Sequence, residues 1–168
     1  KLIEMLTALN DDQTDFNVFF SKYFDKSNYL TWLATSVLMG NRDTVNQNFA
    51  LYQAAGSDKF YLLPWDYDGA FGFEDQPDIK AEQNLYSKWQ LSASNWWGVP
   101  LHRRFMSDPQ HLAELTLAVD EIYAKYLGSD KIKAKLDSYK PLVSPFLARD
   151  PDLAHLPTVS AGKAKEWD

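Results

Sequence analysis

The stretch from Asn41 to Gly72, NRDTVNQNFALYQAAGSDKFYLLPWDYDGAFG, constrains this chain more than any other. A polar loop containing Asp43 and Asn48 leads into an apolar run over 49–53, a turn over 54–59 and a second run over 60–65. Asp66 and Asp68 follow directly. The two runs, rich in aromatic residues and separated by a glycine-containing turn, predict a β-hairpin. Pro64 marks an edge or a strand end, because proline has no N–H to give to a ladder. The hairpin thus carries a carboxylate and a carboxamide at its entrance and a pair of carboxylates at its exit. Gathering such groups costs free energy through mutual repulsion unless a cation or a transferred proton offsets it. The pattern points to a metal–nucleotide site.

Around this hairpin the chain reads as helical. Leu2, Ile3, Leu6 and Leu9 stand at helical spacing, as do Phe16, Phe19, Phe20 and Tyr23. A third helix starts near Asp25 or Ser27 and runs through Leu30, Leu33, Val37 and Leu38 to Gly40, a suitable terminator. From Phe73 to Pro100 the periodicity dissolves, with acids at 74, 75 and 78 and the run SASNWWG over 92–98. Asp108-Pro109 opens a further helix with Leu112, Leu115, Val119, Ile122, Tyr123 and Tyr126 on one face. A last helix starts at Ser129-Asp130, and Pro141 and Pro145 are expected to break it. The fold class expected is mainly α with a small β-hairpin: one domain over 1–150 and a polar tail over 151–168.

Composition excludes several classes of function. The net charge is −6 and no basic cluster tracks a phosphate backbone, so nucleic acid is a poor partner. The absence of cysteine removes disulfides and thiolate metal sites. No apolar run reaches membrane-spanning length. The chain opens without an initiator Met, directly in a helical pattern, and reads as an excised or processed piece.

Phosphoryl transfer needs an acceptor for the substrate hydroxyl proton and ligands for the metal that bridges the nucleotide phosphates. In kinase-like sites the catalytic Asp precedes a metal-binding Asn by five residues, and a second metal-binding Asp follows beside a glycine. Asp43, Asn48 and Asp66 have that spacing and order. The segments Gly40-Asn41-Arg42-Asp43, Asn48-Phe49-Ala50-Leu51-Tyr52 and Leu63-Pro64-Trp65-Asp66-Tyr67-Asp68, followed by Phe71-Gly72, resemble the CotH family of spore-coat-type kinases. The close match covers residues 28–73, with looser similarity onward to 146–150.

That resemblance implies an atypical protein-kinase-like fold that uses ATP with Mg2+ or Mn2+ to phosphorylate proteins. It also implies an extracellular or cell-envelope location. It makes Asp43 the catalytic aspartate and Asn48 and Asp66 metal ligands, with Asp68 a second ligand or a structural acid. A kinase also needs an N-terminal lobe with a phosphate-contacting Lys. No glycine-rich loop and no strand-borne Lys precede Asp43. The chain therefore reads as a C-terminal lobe, inactive alone, on which a missing N-terminal lobe would pack.

Other readings compete. Leu62 to Gly69 also resembles the D-x-D-G motif of haloacid-dehalogenase-type phosphatases, with Asp66 as nucleophile and Asp68 as acid/base. An EF-hand calcium loop fails because Phe71 stands where glycine is required. A non-catalytic binding module would use Trp89, Trp96 and Trp97 with Asn95 to stack on sugar rings, whereas the plainer role for these tryptophans is anchoring a loop on the core. His102, Arg103 and Arg104 form a small basic spot that would suit a phosphate or simply solvate a helix start.

Overall fold

The computed structural model of the protein describes residues 1–41, 44, 47–67, 70, 96 and 98–147. Their order is α1 (Leu2–Leu9), α2 (Phe16–Tyr23), α3 (Lys26–Met39), β1 (Phe49–Tyr52), β2 (Tyr61–Pro64), α4 (Pro100–Met106), α5 (Pro109–Ile122) and α6 (Ser129–Leu147). The architecture is mainly helical with one small antiparallel sheet, as expected. The chain divides into two compact units, Lys1–Lys125 and Tyr126–Asp168.

In the first unit, acids set the helix starts. Asp15 accepts a hydrogen bond from the Val18 amide at the head of α2, and Asp25 accepts one from the Asn28 amide at the head of α3. Each satisfies an amide that has no partner within its helix. Gly40 ends α3 in the left-handed region at φ 63°, a conformation glycine adopts without steric cost.

The core is aromatic. Phe19, Phe20, Tyr23, Phe24, Tyr29, Trp32 and Leu33 pack with Trp96, Phe105 and Leu115. The rings of Tyr29 and Phe105 lie 4.6 Å apart, and His111 stacks face to face on Phe105 at 4.3 Å. One polar pair sits inside: the Tyr29 hydroxyl and His102 Nδ1 share a hydrogen bond of 2.7 Å, with both residues buried. Burial pushes the Tyr29 phenol well above its ordinary pKa.

The hairpin forms with Phe49 opposite Pro64 and Tyr52 opposite Tyr61. The Asn28 side chain anchors it to α3. Its Oδ1 accepts from the Leu62 amide at 2.8 Å and its Nδ2 donates to the Leu62 carbonyl at 3.2 Å. At the other end of the strand the Phe60 amide donates to the Tyr23 carbonyl at 2.7 Å, and Lys59 donates to the carbonyls of Ser21 and Phe24.

Two expectations change. In α1 the buried residues are Met5 and Leu9, while Leu2, Ile3 and Leu6 face solvent. Glu4 explains the rotation: it accepts from Lys22 Nζ at 2.9 Å and from the Tyr23 hydroxyl at 2.8 Å. These two partners also hold its carboxyl below the usual carboxylate range. In the second unit, α6 continues to Leu147 through both Pro141 and Pro145. Each proline leaves the carbonyl four residues earlier without a helical donor. Those carbonyls belong to Asp137 and Pro141, both exposed residues, where solvent can take the place of a helical donor. A π-helical turn, Tyr123–Leu127, follows α5. The acids at 74, 75 and 78, Trp89, Asn95, Trp97 and the tail over 151–168 lie outside the described residues.

Two substitutions test this core. Asn28→Ala removes both Asn28 hydrogen bonds to β2 and is expected to lower stability by about 2 kcal/mol in urea denaturation. Tyr29→Phe strands the His102 nitrogen and is expected to lower stability at neutral pH. Because the folded phenol titrates above its unfolded value, the Tyr29 contribution is fully present below about pH 10 and lost as pH rises through the folded pKa. The stability gap between wild type and Tyr29→Phe therefore narrows above that pH, and denaturation curves at pH 8 and at higher pH would check it.

Candidate functional site

The register of the hairpin brings two of the four candidate residues to one end of it. Asn48 immediately precedes Phe49, Phe49 faces Pro64, and Asp66 follows Pro64 by two residues. Asn48 is half-buried and Asp66 is exposed at the open end of the sheet. Asp43 and Asp68 lie outside the described residues.

Polar side chains from α3 and the loop after it hold this end in place. Asn41, fully buried, donates from Nδ2 to the Asp66 carbonyl at 3.4 Å. Thr44, also buried, donates from Oγ1 to the Asn48 carbonyl at 2.7 Å. The Ser36 hydroxyl is bonded to the Tyr67 hydroxyl at 2.8 Å and to the Trp32 carbonyl at 2.8 Å. The Ala70 amide donates to the Tyr67 carbonyl at 3.1 Å. Asn41 and Thr44 are therefore bonded to the backbone at the two residues named as candidate ligands.

Asp66 carries backbone strain. Its φ is 54°, in the left-handed region where a side chain crowds the backbone, and it is the non-glycine residue with positive φ among the described residues. The Asn41 bond to its carbonyl helps to hold that conformation. Asn41 Oδ1 is buried with no hydrogen-bond partner among the described residues, an acceptor whose desolvation is uncompensated there.

The donor chemistry fits a hard divalent cation. A carboxamide and a carboxylate offer oxygen ligands of the type Mg2+ and Mn2+ prefer. Among the described residues no group of three or more His, Asp or Glu gathers as a metal cluster. The available donors there are Asn48 and Asp66.

Sequence reasoning missed Asn41, Thr44, Ser36 and Asn28 as site-building residues. Asn41 and Thr44 flank the Arg42-Asp43 pair, so their positions were the available signal, but their partners are remote or formed through the backbone. The basic spot at 102–104 is corrected. His102 is buried in the core against Trp32 and Trp96, and Arg104 donates to the carbonyls of Leu9 at 2.7 Å, Asp11 at 3.4 Å and Thr14 at 2.5 Å. Both side chains serve the fold. Trp96, fully buried, anchors its segment on the core as the plainer reading held.

Comparison with known proteins follows the same lines. A family model described as CotH kinase protein matches residues 1–167. The inner spore coat protein H of Bacillus subtilis (strain 168) is 24% identical over 131 residues, covering 78% of this chain and 34% of that protein. The chain thus spans about a third of the length of this curated relative. No solved structure matches the chain.

The strain at Asp66 makes a measurable prediction. Asp66→Gly relieves the left-handed crowding that Asp66→Ala retains, so the glycine variant is expected to be the more stable of the two by about 1 kcal/mol. Parallel urea titrations of the two variants measure the difference, and equal midpoints would refute it.

Proposed function

The chain belongs to the CotH family, and from that premise we propose that it forms the part of a protein kinase that handles metal and acceptor. The observation that carries this reading is the pair of hydrogen bonds from Asn41 and Thr44. The residues on either side of the Arg42-Asp43 pair are bonded to the backbones of the two candidate ligands, Asn41 to Asp66 and Thr44 to Asn48. A catalytic base needs a fixed relation to the metal ligands, since small displacements are costly in rate. These bonds supply a means of keeping it.

In the proposed reaction, a Ser or Thr hydroxyl of a protein substrate gives its proton to Asp43. The hydroxyl oxygen bonds to the γ-phosphorus of ATP. The bond from that phosphorus to the β–γ bridging oxygen breaks, and ADP leaves with the electron pair. Asn48 and Asp66 would hold Mg2+ or Mn2+, with Asp68 as a further carboxylate. The ion, when bound, neutralises charge on the phosphates. Asp66 is exposed, which leaves its carboxylate accessible to a nucleotide-bound ion.

The N-terminal lobe that supplies the phosphate-contacting Lys would lie upstream of Lys1, and the chain alone would be inactive. The spore-coat relative favours action in a coat or envelope setting. Among the described residues no helix is long and apolar enough to cross a membrane.

Transfer of labelled γ-phosphate from ATP tests the reading, with a protein extended upstream of Lys1 and with Mg2+ or Mn2+ supplied. Wild type is expected to incorporate label. Asp43→Ala, Asn48→Ala and Asp66→Ala are each expected to reduce incorporation about 100-fold or more, in keeping with loss of a proton acceptor or an electrostatic contact. Omitting the metal is expected to abolish it. A folded wild type that transfers no label with either metal would overturn the kinase reading in favour of a non-catalytic binding module.

A further inference from the structure

Tyr67 is tied to α3 by a chain of hydrogen bonds whose direction is fixed. The buried Ser36 hydroxyl donates to the Trp32 carbonyl at 2.8 Å, and a carbonyl can only accept. A serine hydroxyl has one proton, so in the 2.8 Å bond between Ser36 and Tyr67 the tyrosine is the donor. The chain thus runs from Tyr67 through Ser36 to the backbone at Trp32, whose own ring is buried against Trp96 and His102.

Burial alone does not call for this pair. The Ser36 hydroxyl already has the Trp32 carbonyl, and Tyr67 is only half-buried, so water could serve its hydroxyl. Alanine and phenylalanine at the two positions would keep most of the packing. Replacing both partners of a hydrogen bond by apolar groups of similar shape is close to neutral in stability. What the two hydroxyls add is direction, because a hydrogen bond holds its partners at a set distance and angle.

That direction bears on the neighbouring residue. Asp66, at φ 54°, has a conformation that is costly for a residue with a side chain and persists where its surroundings hold it. Asp66 and Tyr67 share a peptide group. Asn41 reaches the carbonyl of that group at 3.4 Å, a long bond, whereas the Tyr67–Ser36 bond at 2.8 Å is near ideal for two hydroxyls. The Ala70 amide also holds the Tyr67 carbonyl, at 3.1 Å. The tyrosine is thus the firmer anchor on the downstream side of Asp66.

We propose that Tyr67 and Ser36 are positioning residues for a divalent cation: their hydroxyl pair keeps Asp66 in its left-handed conformation and so aims its carboxylate. The inference rests on the reading of Asp66 as a metal ligand. Loss of a group that orients a ligand weakens metal binding by about 10- to 100-fold although the ligand itself remains.

The test measures binding of Mn2+ alone by the electron paramagnetic resonance signal of the free ion, with the same upstream-extended protein used for label transfer. Tyr67→Phe, Ser36→Ala and the double variant are each expected to raise the Mn2+ dissociation constant about 10-fold or more, the double variant no further than the singles, since all three remove one bond. Thermal melts are expected to show the double variant about as stable as wild type, which separates positioning from a merely structural role. Thr31→Ala removes an exposed hydroxyl bond to the Ser27 carbonyl on the same helix and is expected to leave Mn2+ affinity unchanged. Asp66→Ala sets the level of adventitious binding. If wild type binds Mn2+ above that level and the double variant binds it equally well, or weakens only as its melting point falls, the proposal is overturned while the kinase reading stands. A wild type that binds no more Mn2+ than Asp66→Ala overturns it too, and label transfer then decides whether the kinase reading falls with it.

Discussion

The two hydrogen bonds between the Asn28 side chain and the Leu62 backbone, at 2.8 and 3.2 Å, are the contact on which the arrangement of the site depends. A two-stranded hairpin is marginal in water by itself and needs a partner surface. The Asn28 carboxamide presents a donor and an acceptor side by side, so it pairs with the strand much as a neighbouring strand would. It thereby satisfies both polar groups of Leu62 where β2 runs against α3. Once β2 is held there, its end delivers Asp66 and Tyr67 to Asn41 and Ser36.

The aromatic core makes α3 a firm base for that contact. Tyr29 and Trp32 lie within the core, packed against α2, α4 and Trp96, while Asn28 and Ser36 use the same helix to hold β2 and Tyr67. A buried hydroxyl or imidazole without a partner is costly. The Tyr29–His102 bond joins α3 to α4 while meeting the needs of both groups. On α3, Tyr29 therefore completes the core while Asn28 and Ser36 position the hairpin and Tyr67. The strained backbone at Asp66 is consistent with a functional position, since such conformations persist where surrounding contacts hold them.

The helices and the hairpin were readable because their signals are local. Apolar residues at helical spacing predicted α2 and α3, Gly40 ended α3, and Asp108-Pro109 opened α5 with the side chain of Asp108 accepting from the Gln110 amide. Pro64 ended its strand, as a residue without an N–H should. The order of Asp43, Asn48, hairpin and Asp66 was likewise visible, and it carried the family resemblance that the match over residues 1–167 bears out. Helical spacing in α1 gave the helix without its rotation, because Leu2, Ile3, Leu6, Met5 and Leu9 are all apolar and the choice fell to Glu4 and its partners. The prolines of α6 were a local signal that misled. The cost of a missing helical bond depends on whether water reaches the freed carbonyl, and that is a matter of exposure.

What the sequence determined by itself was most of the elements, α4 (Pro100–Met106) and the π-helical turn aside, and the order in which chemistry-bearing residues leave them. Both follow from periodicity and from the restricted backbones of glycine and proline. Tertiary structure decided which polar side chains build the site and which serve only the core. Asn28 finds Leu62 across 34 residues, Asn41 finds Asp66 across 25, and Tyr29 finds His102 across 73. A hydrogen bond requires its partners at contact distance, and for residues so far apart only the folded chain provides it.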